Sequence, residues 1–313
     1  MSLYLSTVVP VFCSEDTVAH LYRRIIDSLE PIQKEFELIL VEDAGGDFSW
    51  EQILKLSRID SRVRGIQLAR NSGQHNALLC GIRAARGEIV ITLDDDLQNP
   101  PEEIPRLLSE LDKGYDVVYG TPQHEQHGFF RNQASRITKL VLQRAMGAET
   151  ARKVSSFRAL RTDVRDAFKS YQSSMVNIDV LLTWGTCRFS SVTVKHNARL
   201  AGESGYTLRK LITHAFDMIT GFSTLPLQFA SVLGIVFGFF GFVVLAYIIG
   251  RYLISGVTVP GFPFLASIVA IFSGVQLFAL GIFGEYLARM YLRSMERPSY
   301  SIYQDTLHFQ KRL

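Results

Sequence analysis

The sequence predicts an α/β protein in which a doubly wound, mostly parallel sheet is followed by two C-terminal transmembrane helices. Three observations predict this class. Short apolar strands alternate with helical segments through the first half of the chain, a pattern typical of parallel sheets. One predicted strand, residues 88–93, ends abruptly in three consecutive carboxylates. Two later runs, residues 227–249 and 262–284, contain no charged residue.

The predicted strands and helices follow one another at the spacing of such a sheet. Strands are predicted at 6–12, 36–41, 65–68, 88–93 and 116–120, and helices at 18–29 and 76–85. Crossovers between parallel strands are expected to be right-handed. Because open α/β sheets bind ligands at the carboxyl ends of their strands, a nucleotide is expected at that edge.

Polar and glycine-containing turns follow several of these strands. They contain Asp43, Gly73 and an acidic cluster of Asp94, Asp95 and Asp96. Three carboxylates at the end of a buried strand repel one another, and a divalent cation with oxygen ligands relieves that repulsion. Neither a dinucleotide fingerprint nor a P-loop follows the first strand, so carboxylates and a metal are expected to hold the ligand. The alternative for the cluster is an acidic turn that caps a helix.

The overall composition argues against some partners. The chain has 313 residues, is 47% hydrophobic and carries a formal net charge of +3, with its basic residues scattered. This balance does not indicate nucleic-acid binding. The N-terminus has no basic region followed by an apolar core. We therefore expect no cleaved signal peptide and a soluble part on the cytoplasmic side.

The two uncharged runs are each long enough to cross a hydrocarbon core of about 30 Å as a helix. The alternative is a pair of buried core helices. The loop between them carries one charge, Arg251, whereas the outer flanks carry Arg209, Lys210, Arg289, Arg293 and Arg297. The positive-inside rule then predicts cytoplasmic termini. Glu285 lies one helical turn before Arg289, so an ion pair is expected, with contact to a lipid-linked headgroup as the alternative.

The change in composition near residue 225 predicts the domain organisation. Residues 1–200 would form the cytoplasmic catalytic domain and residues 201–226 an amphipathic segment at the membrane interface. Residues 227–285 would form the two membrane helices with an outside loop at 250–261, and residues 286–313 a cytoplasmic tail. Glycines at helical spacing in both runs would allow close helix contact, within the pair or between protomers.

Several motifs together resemble the GT-A fold of family 2 glycosyltransferases. They are Asn71-Ser72-Gly73-Gln74-His75, residues 92–103 with the acidic cluster and Leu-Gln-Asn-Pro-Pro-Glu, Arg131, residues 202–206 and the two apolar runs. The combination is similar to bacterial polyprenyl-phosphate glycosyltransferases, namely bactoprenol glucosyltransferases and undecaprenyl-phosphate aminoarabinose transferases. It is more distantly similar to dolichol-phosphate mannose synthases.

The resemblance implies roles for individual residues at the donor site. Pro10 and Val11 would line the pocket for the base, and Asp43 would bond to the uracil or thymine edge. The other donor-binding residues would be Gly73, Asp94 and Asp95. The cofactor would be Mg²⁺ or Mn²⁺, with Asp96 as its main ligand, and the metal-binding set would be Asp94, Asp96 and Gln98.

The resemblance also implies a phosphate-binding and acceptor region. Arg131 and Arg199 would contact phosphates and would complete a catalytic set with Asp94 and Asp96. Relatives carry an Asp shortly before the segment matching residues 155–160, and often a Lys at the position of Gly205. Here the approach to that segment is basic, which we interpret as a replacement for the missing Lys. The acceptor would then contact Arg152, Lys153, Ser204 and Tyr206.

The activity implied by the resemblance is an inverting, metal-dependent transfer from a UDP- or dTDP-sugar to undecaprenyl or another polyprenyl phosphate. The implied place is the cytoplasmic face of the bacterial inner membrane, in cell-envelope glycan or O-antigen modification. Implied partners are the nucleotide-sugar donor, membrane lipid, a downstream flippase, a second glycosyltransferase and further copies of the chain, as a tetramer in some relatives. The alternatives are a different acceptor for the same fold, or a non-catalytic membrane scaffold.

Overall fold

A computed structural model describes residues 3–122, 153–173, 175–197, 220, 224–256 and 261–307. The chain divides into two compact units. The first combines Met1–Leu211 with Glu296–Leu313, and the second is Ile212–Met295. The chain therefore leaves the first unit once, forms the second, and returns to the first.

The first unit is built on one eight-stranded sheet. Its strands are β1 (Leu5–Val11), β2 (Phe36–Glu42), β3 (Val63–Leu68), β4 (Ile89–Thr92), β5 (Val117–Pro122), β6 (Arg158–Arg161), β7 (Phe189–Val194) and β8 (Ile302–Asp305). Their order across the sheet is β7-β5-β6-β4-β1-β2-β3-β8. Only β6 and β8 run against the other described strands, so the predicted mostly parallel sheet is confirmed.

Helices cover both faces of the sheet. They are α1 (Val18–Leu29), α2 (Ser49–Ile59), α3 (Gln74–Ala84), α4 (Ile104–Leu111) and α5 (Ile178–Gly185). Apolar residues of α1, α2 and α4 share a core with Val9 and Leu40. Successive side chains of a strand point to opposite faces, so Val8 and Val41 face the other way. There Gly81 of α3 packs so closely that a Cβ would lie 2.2 Å from Val8 Cγ1.

The central strands form because their sequences are apolar on both faces. Every residue of β1 and β2 is buried, including Ser6 and Glu37 at the amino-terminal end. Ser6 Oγ donates a hydrogen bond to Glu37 Oε1 at 2.7 Å, and Arg86 makes an ion pair with Glu37 at 2.6 Å. Because these polar groups are hydrogen-bonded, they can lie in buried strands. The strands predicted from apolar runs are all present.

The C-terminal segment adds an edge strand that the sequence pattern did not indicate. Strand β8 pairs antiparallel with β3, and Ser301 O accepts a hydrogen bond from Ala69 N at 2.8 Å. Arg64 donates two hydrogen bonds to Asp305, at 3.1 and 2.6 Å. Gly65 N donates to Thr306 Oγ1 at 3.0 Å. The segment after the second apolar helix is therefore part of the sheet.

The second unit consists of helices α6 (Leu225–Ser255) and α7 (Phe262–Ser294). Both contain stretches long and apolar enough to cross a membrane, with mean hydropathies of 2.7 and 2.0. Their apolar side chains are largely exposed, which contradicts the alternative of buried core helices. Phe237 packs edge-on against Phe272 with ring centroids 6.1 Å apart, and a Cβ on Gly241 would lie 2.9 Å from Phe272. One predicted glycine contact thus lies within the pair.

The predicted ion pair at the end of α7 is also present. Arg289 Nη2 lies 2.6 Å from Glu285 Oε1, one helical turn apart.

Candidate active site

The candidate site lies where three neighbouring parallel strands end. Strand β1 pairs with both β2 and β4, with Val8 opposite Thr92 and Val11 opposite Glu42. Pro10 and Val11 therefore end the central strand, Asp43 follows on one side, and the acidic cluster follows on the other. The sheet brings these predicted donor-site residues to one edge, as the sequence pattern predicts.

Asp94 is held between α3 and the segment before β6. Gln74 Nε2 donates a hydrogen bond to its Oδ1 at 2.6 Å, and Ser156 Oγ donates to its Oδ2 at 2.5 Å. Burial, with a smaller contribution from the charges of Asp96 and Asp95, raises the pKa of Asp94 to about 6, although the hydrogen bond from Ser156 acts to lower it. A nearby positive charge would stabilise the ionised form of a carboxylate in these surroundings.

Asp95 makes its contacts on the other side of the strand end. Its Oδ2 accepts a hydrogen bond from Phe12 N at 3.1 Å and another from Ser14 Oγ at 2.5 Å. Burial raises the pKa of Asp95, while these two hydrogen bonds lower it. Asp95 therefore connects the end of β4 to the loop that follows β1.

Asp96 begins a tight turn. Its Oδ1 accepts a hydrogen bond from Gln98 N at 3.1 Å, and Leu97 between them has a φ of 59°. Gln98 O accepts a hydrogen bond from Asn197 N at 2.9 Å. The predicted metal-binding residues Asp94, Asp96 and Gln98 thus lie within one short turn at the edge of the sheet.

Asp43 shapes the turn between β3 and α3. Its two carboxylate oxygens accept hydrogen bonds from Ser72 N at 2.7 Å and Gly73 N at 2.8 Å. Burial raises the pKa of Asp43, and the two backbone hydrogen bonds oppose that rise. Gly73 has a φ of 90°, which suits glycine, and the next residue, Gln74, reaches Asp94. Asp43 and Asp94 are therefore linked through this turn.

The donor set suits a hard divalent cation. Within the described part of the chain, no three His, Cys, Asp or Glu side chains converge on one metal position. Mg²⁺ is usually bound through one or two carboxylates together with substrate phosphates, so a full protein cage is not required. The carboxylates of Asp94 and Asp96, which lie in one short turn, suit such a partly ligand-held metal.

Several predicted residues lie outside the described ranges: Arg131, Arg152, Arg199, Ser204 and Tyr206. Lys153 is described and precedes Ser155 and Ser156, which lead into β6. Because β6 runs antiparallel to β4, with Arg158 opposite Thr92, this approach lies at the same edge as Asp94. The segment that begins at Lys153 therefore leads to the edge of the sheet that carries the acidic cluster.

Sequence reasoning missed the residues that hold the carboxylates. Gln74 lies in a motif that carried the resemblance and Ser156 in the segment 155–160 that relatives match, but their contacts with Asp94 gave no separate pattern. It also missed a buried ion pair beside the site, in which Arg158 Nη1 lies 2.6 Å from Asp179 Oδ1. The sequence signal for this ion pair was an arginine beside apolar residues in a short segment, since a buried arginine without a partner is rare.

Comparison with known proteins identifies the class. Residues 6–168, which span most of the sheet, match the family described as Glycosyl transferase family 2. The chain belongs to this family and is a glycosyltransferase.

Curated relatives match almost the whole chain. An undecaprenyl-phosphate 4-deoxy-4-formamido-L-arabinose transferase from Edwardsiella ictaluri is 37% identical over 302 residues, covering 96% of this chain and 93% of the relative. The protein of the same name from Proteus mirabilis is 36% identical and covers 95% of this chain and 92% of the relative. Both alignments are long enough to include the two apolar helices. The predicted resemblance to polyprenyl-phosphate glycosyltransferases is confirmed.

Solved structures share the fold. Glucosyl-3-phosphoglycerate synthase from Mycobacterium tuberculosis, in complex with Mn²⁺, uridine diphosphate and glucosyl-3-phosphoglycerate, superposes with a TM-score of 0.50. It is 18% identical, and the match covers 70% of this chain and 78% of that one. The predicted GT-A fold is therefore confirmed.

Proposed function

We propose that this protein is a membrane-bound, inverting glycosyltransferase that moves a sugar from a UDP- or dTDP-sugar to a polyprenyl phosphate. The observation that carries the proposal is the acidic cluster at the sheet edge, beside the strand ends that carry Pro10 and Asp43. Relatives named for undecaprenyl phosphate, aligned along almost the whole chain, support the acceptor class. The solved relative with uridine diphosphate and Mn²⁺ supports the donor class.

The reaction follows from the chemistry of the two substrates. An oxygen of the acceptor phosphate forms a bond to the anomeric carbon as the bond from that carbon to the nucleoside diphosphate breaks. The acceptor is an anion at neutral pH, so no side chain has to remove a proton from it. A bound divalent cation would offset the charge that develops on the leaving diphosphate.

The residues of the chain bind and orient these groups. Asp94 and Asp96 would hold the cation, with Gln98 as a further oxygen donor, while Gln74 and Ser156 fix the direction of the Asp94 carboxylate. Arg131 and Arg199 are proposed to bind phosphates, because guanidinium groups make bidentate contacts with them.

The two apolar helices are proposed to cross the bacterial inner membrane. Because the chain belongs to the first unit both before and after them, the two crossings would return it to the same side. The basic flanks favour the cytoplasmic side for the sheet domain. A lipid-linked sugar made there would need a flippase and a second transferase to be used outside.

The metal-dependent activity is tested with Asp96→Asn in full-length protein purified in detergent. Transfer of sugar from UDP- and dTDP-sugars to undecaprenyl phosphate with Mn²⁺ or Mg²⁺ is measured by extracting the lipid product. Transfer should fall to the level seen without metal, because an amide has no charge with which to hold the cation. Asp27→Asn, the same change on an exposed part of α1, is the control and should keep wild-type activity. Full activity of Asp96→Asn would contradict the proposal.

The acceptor region is tested separately. Alanine at both Arg152 and Lys153 should raise the KM for undecaprenyl phosphate more than the KM for the nucleotide sugar, since two cations proposed to bind the acceptor phosphate are lost. Equal transfer by wild type and the double variant at low acceptor concentration would exclude this pair from the acceptor site.

A further inference from the structure

We propose that Asp95 is a positioning residue, which fixes the loop after β1 against the end of β4 and binds neither the metal nor the donor directly. This loop, residues 12–17, is called the β1–α1 loop below. Since β1 would carry the base pocket and β4 the metal ligands, Asp95 would set the spacing between the two halves of the donor site. The inference rests on the proposed function for its effect on donor binding, but not for its effect on the loop.

The direction of the side chain separates Asp95 from its neighbours. Ile91 and Leu93 face the core shared with α1 and α4. Thr92, between them, faces the other way and donates a hydrogen bond to Ser156 O at 2.7 Å. Asp94 contacts Ser156 as well, whereas Asp95 reaches the β1–α1 loop. The contacts of Asp95 therefore lie apart from the partners of Asp94.

The contacts of Asp95 tie down the loop at two points. Oδ2 accepts hydrogen bonds from both Phe12 N and Ser14 Oγ, at 3.1 and 2.5 Å. Hydrogen bonds to an ionised acceptor are stronger than neutral ones. The other side of the loop is held by the segment that leads from β2 into α2, where Ser14 N donates to Ser49 Oγ at 2.9 Å and Cys13 Sγ donates to Gly45 O at 3.3 Å.

The backbone between the two tied residues is strained. Cys13 has a φ of 52°, in the left-handed region that a non-glycine residue seldom adopts. Such a conformation persists only where surrounding contacts determine it. The donors to Asp95 come from the residues immediately before and after Cys13, so Asp95 holds this turn in its strained form.

The first test compares variants that keep or remove the acceptor and the hydroxyl. Asp95→Ala and Ser14→Ala break the contact. Asp95→Asn keeps an oxygen for both donors while removing the charge, and Ser14→Thr keeps a hydroxyl. Binding of UDP with saturating Mn²⁺ to full-length protein in detergent is measured by calorimetry, and donor KM and kcat by transfer to undecaprenyl phosphate. Asp95→Ala should raise the Kd for UDP and the KM for the donor about tenfold, because the loop loses its hydrogen bonds to a charged group. The kcat should change less than twofold.

The conservative variants decide between positioning and metal binding. Asp95→Asn and Ser14→Thr should each recover most of the UDP affinity lost in the matching alanine variant. If Asp95→Asn is as defective as Asp95→Ala and also weakens Mn²⁺ binding, Asp95 acts through its charge on the metal and the inference is wrong. UDP affinity in Asp95→Ala equal to that of wild type would also overturn it.

A second test does not depend on the donor. Cys13 and Cys187 are both exposed, so alkylation of each by iodoacetamide can be followed by peptide mass spectrometry. Both Asp95→Ala and Asp95→Asn remove the charge of Asp95, but only Asp95→Asn keeps an oxygen that can hold the loop. Cys13 should therefore react faster in Asp95→Ala than in Asp95→Asn, while Cys187 reacts equally in both. Equal Cys13 rates in the two variants would show that Asp95 does not hold the loop. Failure of wild-type protein to bind either UDP or dTDP, with the Cys13 difference present, would overturn the proposed donor and leave the role of Asp95 in holding the loop supported.

Discussion

Removing Asp179 should strongly destabilise the sheet domain, because it would leave a buried arginine without a counter-charge. The side chains of Arg158 and Asp179 are 2% and 9% exposed, and their closest atoms are 2.6 Å apart. Tyr119 also donates its hydroxyl hydrogen bond to Asp179, at 3.1 Å. In Asp179→Ala both the guanidinium and the phenol lose their shared acceptor.

The size of the effect follows from this burial. Breaking a buried ion pair by removing one partner costs about 3–5 kcal/mol, because the remaining charge stays out of water. Domains of 150–250 residues lose about 2–4 °C in Tm for each kcal/mol, so a decrease on the order of 10 °C is expected. Asp179→Asn should lose less, since its side-chain oxygen can still accept a hydrogen bond.

The assay is thermal unfolding of full-length protein in detergent, followed by circular dichroism. Asp166→Ala, at an exposed position of the same unit, is the control and should change stability by no more than about 0.5 kcal/mol. Replacing both partners, as Arg158→Met with Asp179→Leu, should recover much of the loss because no charge is left buried. A Tm for Asp179→Ala within 2 °C of wild type, a change of about 1 kcal/mol or less, would refute the reasoning.

Three further predictions concern other contacts of the sheet domain. Asp305→Ala removes the acceptor of two hydrogen bonds from a half-buried arginine on β3, so the free energy of unfolding should fall by about 2–3 kcal/mol. Proteolysis of the C-terminus, measured by mass spectrometry, should be faster than in wild type. Although burial alone would raise the pKa of Asp116, hydrogen bonds from Arg188 and Thr186 hold it below its ordinary value. This contribution to stability is present above the unfolded-state pKa and is lost as pH falls through the folded-state pKa. The urea midpoint should therefore fall less between pH 7 and pH 3 in Asp116→Asn than in wild type. Gly81→Ala would place a Cβ 2.2 Å from Val8, and overpacking of this kind should lower stability by about 1–3 kcal/mol, measured by urea unfolding.

Local patterns predicted the elements whose signal is contained in their own residues. Helix α1 begins and ends where its periodicity indicated, at Val18 and Leu29, because its buried residues recur at helical spacing. Strands β1 and β2 are apolar on both faces, so burial at the centre of the sheet was readable from each run alone. The same reasoning located the carboxylates of the candidate site, since they directly follow such runs.

Elements that depend on distant partners were not predicted. Strand β6 has the sequence Arg-Ala-Leu-Arg, and its first arginine is buried only because Asp179 on α5 pairs with it. Strand β8 has four residues, two of them exposed and apolar, and it forms because β3 offers a free edge and Arg64 binds Asp305. Nothing in either short segment indicates the partner that stabilises it.

By itself, the sequence determined the class of this protein: an α/β glycosyltransferase domain, an acidic turn at the end of a buried strand, and two apolar helices. These properties depend on hydrophobic runs and on residues adjacent in the chain, which are visible without a fold. The tertiary structure alone decided what each carboxylate of the acidic turn contacts. Asp94 meets Gln74 and Ser156 while Asp95 meets Phe12 and Ser14, because only tertiary packing brings α3, the segment before β6 and the β1–α1 loop to the end of β4.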